Sequence, residues 1–254
     1  MMTILAACLA AAGAFAGGLL TGSGLAASLA VGISVSLVGW NGLFLLGFFF
    51  GSSYLLERLF RPAEEVEAKG SRRDAAQVAA NGGAAAVAGL VYSVFPAAFI
   101  MAAFAASLAA ATSDTWASAA GKRTAGTAVL IISRKRVKAG VSGAVTAKGS
   151  SWAFGGAVLT AAAAYLLFAD ITALHALIIA AAGFTGQLID SAVGEKLQLL
   201  YTCPVCGEAT EKEQHCGKPT FVIKGIRGIN NDAVNMIATC SAAFLAGFCV
   251  LLFT

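Results

Sequence analysis

Long apolar runs separated by charged breaks set the first reading of this chain. A membrane span takes roughly 20 apolar residues, so the runs can be counted against the breaks. Met2 to Leu20 is one span, interrupted by Thr21-Gly22-Ser23-Gly24. Leu25 to Leu56 has room for two short or tilted spans, divided near Gly39-Trp40-Asn41. A loop from Glu57 to Asp74 then mixes Glu64, Glu65 and Glu67 with Arg58, Arg61, Lys69, Arg72 and Arg73. Asp74 can cap a helix running from Ala75 to Phe95, where Pro96 interrupts it. A second helix returns from Ala97 to Asp114. Ser151 to Ala169 and Ile171 to Val193 form another hairpin around Asp170, and Asp232 to Phe253 is the last span. His175, near that turn, reads as a packing or interfacial residue.

The pattern predicts an all-α, polytopic integral membrane helical bundle of about seven to eight spans. It is a single membrane domain over residues 1–254, with a short Cys/His-containing loop. Its long loops, about 57–74, 122–150 and 197–231, fall on one side. Composition agrees: 58% of the 254 residues are hydrophobic and 12% charged, with a mean hydropathy of +0.80. A water-soluble domain of this length needs more charge to cover its surface. The Ala and Gly excess predicts closely packed helices. The first apolar run lacks a basic leader and is read as a span, not a signal peptide. The net charge of +4 is concentrated in loops. It orients the loop side toward the cytoplasm, with the cell (plasma) membrane as the expected location. No nucleic-acid-binding module is recognisable.

The most informative stretch follows Thr112-Ser113-Asp114-Thr115-Trp116-Ala117-Ser118. Lys122, Arg123, Arg134, Lys135, Arg136, Lys138 and Lys148 lie there without an acidic residue among them, interleaved with Gly121, Gly126, Gly140, Gly143 and Gly149. Backbone N–H groups and cations suit a phosphorylated ligand, and Asp114 can carry a metal. A loop that merely follows the positive-inside rule would look the same. Four polar signals converge on this face: Arg72-Arg73-Asp74, Asp114 with the basic loop, Asp190 with Glu195, and Asn230-Asn231-Asp232. Asp74 and Asp232 are explicable as helix caps. Asp114 and Asp190 end apolar runs, where a helix dipole disfavours an anion, so a nearby cation or Mg²⁺ is the more economical account. Asp, Mg²⁺ and Lys/Arg together are the parts of phosphoryl transfer. There is no Walker A motif, since Gly121-Lys122-Arg123-Thr124 lacks the earlier glycine.

Cys203-Pro204-Val205-Cys206-Gly207 is a C-x-x-C knuckle, and His215-Cys216 can complete four ligands for a structural Zn²⁺. A redox pair and unliganded cytosolic thiols are the alternatives. Cys8, Cys240 and Cys249 lie in apolar spans and read as packing residues.

These motifs, in this order, resemble the membrane family called domain of unknown function 92, which takes in transmembrane protein 19 and the chloroplast phytyl-phosphate kinase. The resemblance runs from about Leu43 to the final span. It is carried by Gly51-Ser52-Ser53, Arg73-Asp74-Ala75-Ala76-Gln77-Val78 with Asn81-Gly82, and Asp114-Thr115-Trp116-Ala117-Ser118. The Gly140 to Gly149 segment, Asp190-Ser191 with Gly194, His215-Cys216-Gly217 and Asn231-Asp232-Ala233-Val234-Asn235 complete it. It implies an integral membrane kinase that phosphorylates a prenyl monophosphate to the diphosphate with a nucleoside triphosphate, CTP or ATP.

On that reading Asp114, Asp190 and Asp232 hold Mg²⁺. Arg73 and the basic loop hold the lipid phosphate, and Lys122 or Arg123 contacts the nucleotide. Asp74, Asn81, Ser142, Gly143, Asn231 and Asn235 complete the substrate contacts, with the prenyl tail in the bilayer. The chain departs from the family pattern at Ala119, where a Glu is usual, at Ser142, where Asn or Asp is usual, and at Ala144, where Gly is usual. The rival is a transporter or flippase for an anionic metabolite or lipid phosphate, which Gly-interrupted spans with polar ends also suit.

Overall fold

A computed structural model describes residues 1–60, 72–122 and 127–253. Eight helices lie among them: α1 (Met2–Ala16), α2 (Gly22–Ser36), α3 (Trp40–Leu59), α4 (Ala75–Val94), α5 (Ala98–Lys122), α6 (Ala147–Leu167), α7 (Ala173–Lys196) and α8 (Asn231–Phe253). Five of them, α3, α5, α6, α7 and α8, are long and apolar enough to cross a membrane. α1 and α2 have 15 residues each, or about 22 Å, short of a hydrocarbon core of about 30 Å.

The breaks have local causes. Gly39 adopts φ +93°, which ends the α2 turn and starts α3 at Trp40. Asp74 and Gln77 form a reciprocal capping box: the Gln77 N–H donates to Asp74 Oδ1 at 3.0 Å, and the Asp74 N–H donates to Gln77 Oε1 at 3.2 Å. Thr146 caps α6 by accepting from the Gly149 N–H at 3.0 Å. Thr172 caps α7 by accepting from the His175 N–H at 3.2 Å. His175 is buried at that turn, where its Nδ1 lies 3.1 Å from the Asp170 carbonyl. At α8 the cap is Asn230, whose Oδ1 accepts from the Ala233 N–H at 3.0 Å. Asp232, expected in that role, is a buried residue of the first turn.

Two expectations drawn from charge needed correcting. α5 does not stop at Asp114 but runs on through Lys122. Nothing from Thr115 to Lys122 breaks a helix, and a change of polarity is not a change of backbone. The basic loop is also not irregular. β1 (Thr127–Leu130), β2 (Arg136–Lys138) and β3 (Ala144–Val145) form an antiparallel sheet in the order β2-β1-β3. The last long connection likewise holds β4 (Leu200–Thr202), β5 (Ala209–Thr210), β6 (Gln214–His215), β7 (Lys218–Pro219) and β8 (Phe221–Lys224). Strands β5-β4-β8 form one small sheet, and β6-β7 form a hairpin.

α5 is the axis of the bundle, packed by α3, α4, α6, α7 and α8. Met101, Phe104, Leu108 and the alanines between them are buried. The hydroxyls of Ser107 and Thr112 donate to the Phe104 and Leu108 carbonyls of their own helix, both at 2.8 Å, so they enter the core satisfied. Small residues set the spacing. A Cβ on Gly183 would lie 2.6 Å from the Ala109 Cβ, and one on Gly186 would lie 2.7 Å from the Ala110 Cβ and 3.2 Å from the Ala242 Cβ. Gly186→Leu is therefore expected to exceed the usual overpacking cost of about 1–3 kcal/mol, because α5 and α8 both bound the position. The check is the thermal midpoint of the detergent-solubilised protein, and an unchanged midpoint would refute this packing.

Candidate functional site

The ends of α5, α6, α7 and α8 that carry the small strands surround a polar cleft of about 120 Å³. α5 contributes Asp114, Ala117, Ser118 and Gly121, which share one helical face at spacings of three and four. α7 contributes Gln187, Asp190 and Ser191 on the same rule. The opposite wall is the backbone from Gly140 to Thr146 with Gly149 and Ser150 of α6, and Asn231 of α8, Gln198 and Glu211 complete the rim.

The carboxyl groups of Asp114 and Asp190, 76 positions apart in the chain, come within side-chain hydrogen-bonding range, and Glu211 is within electrostatic reach of Asp190. The described residues lining the cleft include no Lys or Arg. Several acceptor oxygens here are buried with no partner among the described residues: Asp190 Oδ2, Gln187 Oε1 and, one turn beyond Asn231 on α8, Asn235 Oδ1. Gln187 is 4% exposed, and its amide donates to the Ser191 hydroxyl at 2.9 Å, leaving only the carbonyl oxygen unused. Acidic groups with orphaned acceptors, and no cation among the described lining residues, suit a bound cation.

The helix directions add a second polarity. α6 and α8 present their N-terminal ends, where unpaired N–H groups favour anions, while α5 and α7 bring the carboxylates. One cleft thus holds an anion-favouring wall and a cation-favouring wall.

The glycine segment is held tightly against α7. Gly143, at φ +82°, approaches so closely that a Cβ there would lie 2.6 Å from the Glu195 Cβ. The Ser142 hydroxyl donates to the Gly194 carbonyl at 3.0 Å and also contacts Gln198 Oε1. Glu195, expected beside Asp190, instead turns to the β1–β2 turn. Its Oε2 accepts from the Ile132 N–H at 2.7 Å and its Oε1 from the Ser133 N–H at 3.0 Å. Lys224 caps the end of α7, donating to the Gly194 and Glu195 carbonyls at 2.8 and 2.9 Å. Partial burial lowers the pKa of this ammonium, against the pull of the Glu195 and Glu211 carboxylates.

Of the cations proposed from sequence, those whose side chains are described are placed elsewhere. Arg73 is not brought to the cleft: its Nη2 donates to both carboxylate oxygens of Glu57 at 2.7 Å. Its backbone pairs with Leu19 and Thr21, fastening the α1–α2 turn to α4. Lys138 pairs with Glu208 at 3.1 Å, and Lys148 lies 5.2 Å from the Phe60 ring centre. Arg134, Lys135 and Arg136 are exposed on the small sheet. Arg123 lies outside the described residues, and of Lys122 only its place at the end of α5 is described. Asp74 caps α4, and Asn81 donates to the Gln77 carbonyl at 3.0 Å, so both serve that helix and neither lines the cleft. Asp232 and Asn235 sit on α8 behind Asn231. Ala119 packs with Leu56 and Trp116, whose indole N–H donates to the Ser52 hydroxyl at 3.2 Å, on a face of α5 turned from Asp114.

Sequence reasoning missed Gln187, Gln198, Glu211 and Lys224. Gln187, Asp190, Ser191 and Gly194 at helical spacing within an apolar span were the available signal. Beside the cleft, the ligand atoms of Cys203, Cys206, His215 and Cys216 all lie within 4.8 Å of one another. Burial opposes ionisation of Cys203, but hydrogen bonds from the Cys206 and Val205 N–H groups and from His215 bring its thiol down to about 6.

The profile of the family described as Integral membrane protein DUF92 matches residues 5–243. Protein PGR of Arabidopsis thaliana is 32% identical over 146 residues, which cover 52% of this chain and 48% of that protein. The chain thus spans about half the length of this curated relative. No solved structure matches it.

Proposed function

This chain belongs to the DUF92 family of integral membrane proteins, and from that premise we propose that it is a kinase converting a prenyl monophosphate to the diphosphate with CTP or ATP. The cleft faces the cytoplasm of the cell membrane. The observation that carries this reading is the opposition of the Asp114–Asp190 pair to the N-terminal ends of α6 and α8.

An oxygen of the prenyl phosphate attacks the γ-phosphorus of the nucleotide. The bond from that phosphorus to the β–γ bridging oxygen breaks, and the nucleoside diphosphate leaves. The attacking oxygen is already ionised, so no residue has to remove a proton. Positioning and charge are what the protein must supply.

Asp114 and Asp190, with the Gln187 carbonyl and Glu211, would hold Mg²⁺. The orphaned Asp190 Oδ2 and Gln187 Oε1 supply the fit, as hard oxygen donors without another partner among the described residues. Bound there, Mg²⁺ offsets phosphate charge. The N–H groups opening α6, beside the Thr146 cap, orient phosphate oxygens on the other wall. Phe154 and Phe184, with ring centres 5.9 Å apart, bridge α6 and α7 and offer an apolar seam for the prenyl tail. The clustering of carboxylates at one end, above the buried Phe104 and Leu108, favours chemistry over passage through the bundle.

The test offers purified protein in detergent a panel of prenyl monophosphates with Mg²⁺ and γ-labelled CTP or ATP. Labelled prenyl diphosphate is the expected product. A folded protein yielding none across the panel would overturn the proposal, and flux of lipid phosphate in proteoliposomes would become the next question.

A further inference from the structure

The strands between α7 and α8 are built as two facing knuckles. In the first, Cys203 follows β4, and Cys206 lies beyond Pro204 and Val205. The Val205 N–H donates to the Cys203 sulfur at 3.4 Å, and Gly207 at φ +72° turns the chain into β5. In the second, His215 ends β6, and Cys216 at φ +51° and Gly217 at φ +70° turn it into β7. A non-glycine residue in the left-handed region is uncommon, and here it directs the Cys216 sulfur toward the first knuckle.

We propose that Cys203, Cys206, His215 and Cys216 bind one structural Zn²⁺ that fixes the 200–224 segment over the cleft. The Nδ1 of His215 lies 3.4 Å from the Cys206 sulfur and 3.3 Å from the Cys216 sulfur. Tetrahedral zinc, with bonds of about 2.0–2.3 Å, separates its ligand atoms by about 3.5–3.8 Å. Three thiols and an imidazole, with all four ligand atoms within 4.8 Å of one another, make a closed set with no position left for a reacting water.

The placement explains what the metal does. Glu211 lies in the link between the knuckles, five residues after Cys206 and four before His215. It reaches the cleft, where its Oε1 accepts from Gln198 Nε2 at 2.8 Å. The link has little apolar burial of its own. It is held by the Thr220 hydroxyl on the Lys212 carbonyl at 2.8 Å and the Thr220 N–H on the Glu213 carbonyl at 3.0 Å. Zinc ties both ends of this link and so holds Glu211 beside Asp190. The metal site itself stands on the quartet alone, and only Glu211's use in catalysis rests on the kinase reading.

The experiment measures metal in protein purified under reducing conditions without chelator. One zinc per chain is expected. Cobalt substitution should give thiolate-to-cobalt charge-transfer absorption, and Cys206→Ser and Cys216→Ser should each abolish both signals while helical circular dichroism is kept. Glu211→Gln should keep the zinc. Should a serine variant fail to fold, wild-type protein stripped with a thiol-reactive mercurial and a chelator serves instead. In it, amide exchange at residues 208–217 should quicken by about tenfold or more while α5 is unchanged. Protein that takes up neither zinc nor cobalt, uptake unaffected by Cys206→Ser, or a disulfide within the quartet would overturn the proposal. None of these readouts depends on kinase activity, so failure of one reading leaves the other standing or falling by itself.

Discussion

Asp190→Asn is expected to lower phosphate transfer by a factor on the order of 10²–10³, as removal of a charged group acting on transferring phosphate does, while leaving the bundle intact. Asn keeps the volume and one carbonyl oxygen but removes a charge facing Asp114 and Glu211. Like charges at short range repel, so without divalent cation the variant should melt no lower than the wild type. Mg²⁺ should raise the melting temperature of the wild type and not that of the variant. Asp114→Asn should behave alike. The double variant should cost little more than either single one, because two ligands of one cation act as a unit. Full transfer activity in Asp190→Asn, or Mg²⁺ stabilisation that survives it, would remove this pair from the mechanism.

α3, α5, α6, α7 and α8 were legible because lipid imposes a length rule on a span. The Gly39 break, the Asp74 cap and the turn at Asp170 were each readable from local chemistry. The end of α5 was not, because Asp114 marks a change in polarity eight residues before the helix stops at Lys122. The strands after α5 and α7 escaped notice for a related reason. They are two to four residues long, too short for period-two alternation to show.

The candidate site was half legible. Asp114 and Asp190 stood out because a carboxylate in an apolar run needs a reason. Their meeting is a tertiary fact, made possible by Gly183 and Gly186 letting α7 close on α5. The basic residues whose side chains are described lie away from the cleft. Charge density along the chain suggested a cationic pocket, yet Arg73 is spent on Glu57 and Lys138 on Glu208, while the cleft lining described is acidic. Glu211 was hidden because it lies in a polar loop where an acidic residue carries no sequence signal. Only the fold of the two knuckles brings it to the cleft.

Gly143→Ala is expected to reduce transfer by about 10²-fold, the scale of an ångström-sized misplacement in a reacting site. Two constraints meet at this residue. Its φ of +82° disfavours any side chain, and a Cβ would overlap Glu195, lying 2.5 Å from its Cα and 2.6 Å from its Cβ. Glu195 cannot retreat, since its carboxylate accepts from the Ile132 and Ser133 N–H groups and Lys224 holds its carbonyl. The glycine segment must move instead, breaking the Ser142 contact with Gly194 and shifting the wall that faces Asp114. Gly140→Ala separates the two constraints, because Gly140 has φ +93° but a Cβ added there would meet nothing within 4 Å. It carries only the backbone strain, about 1–2 kcal/mol, and should lose far less activity. Equal losses in the two variants would mean that backbone strain, and not the docking of this segment on α7, controls the cleft.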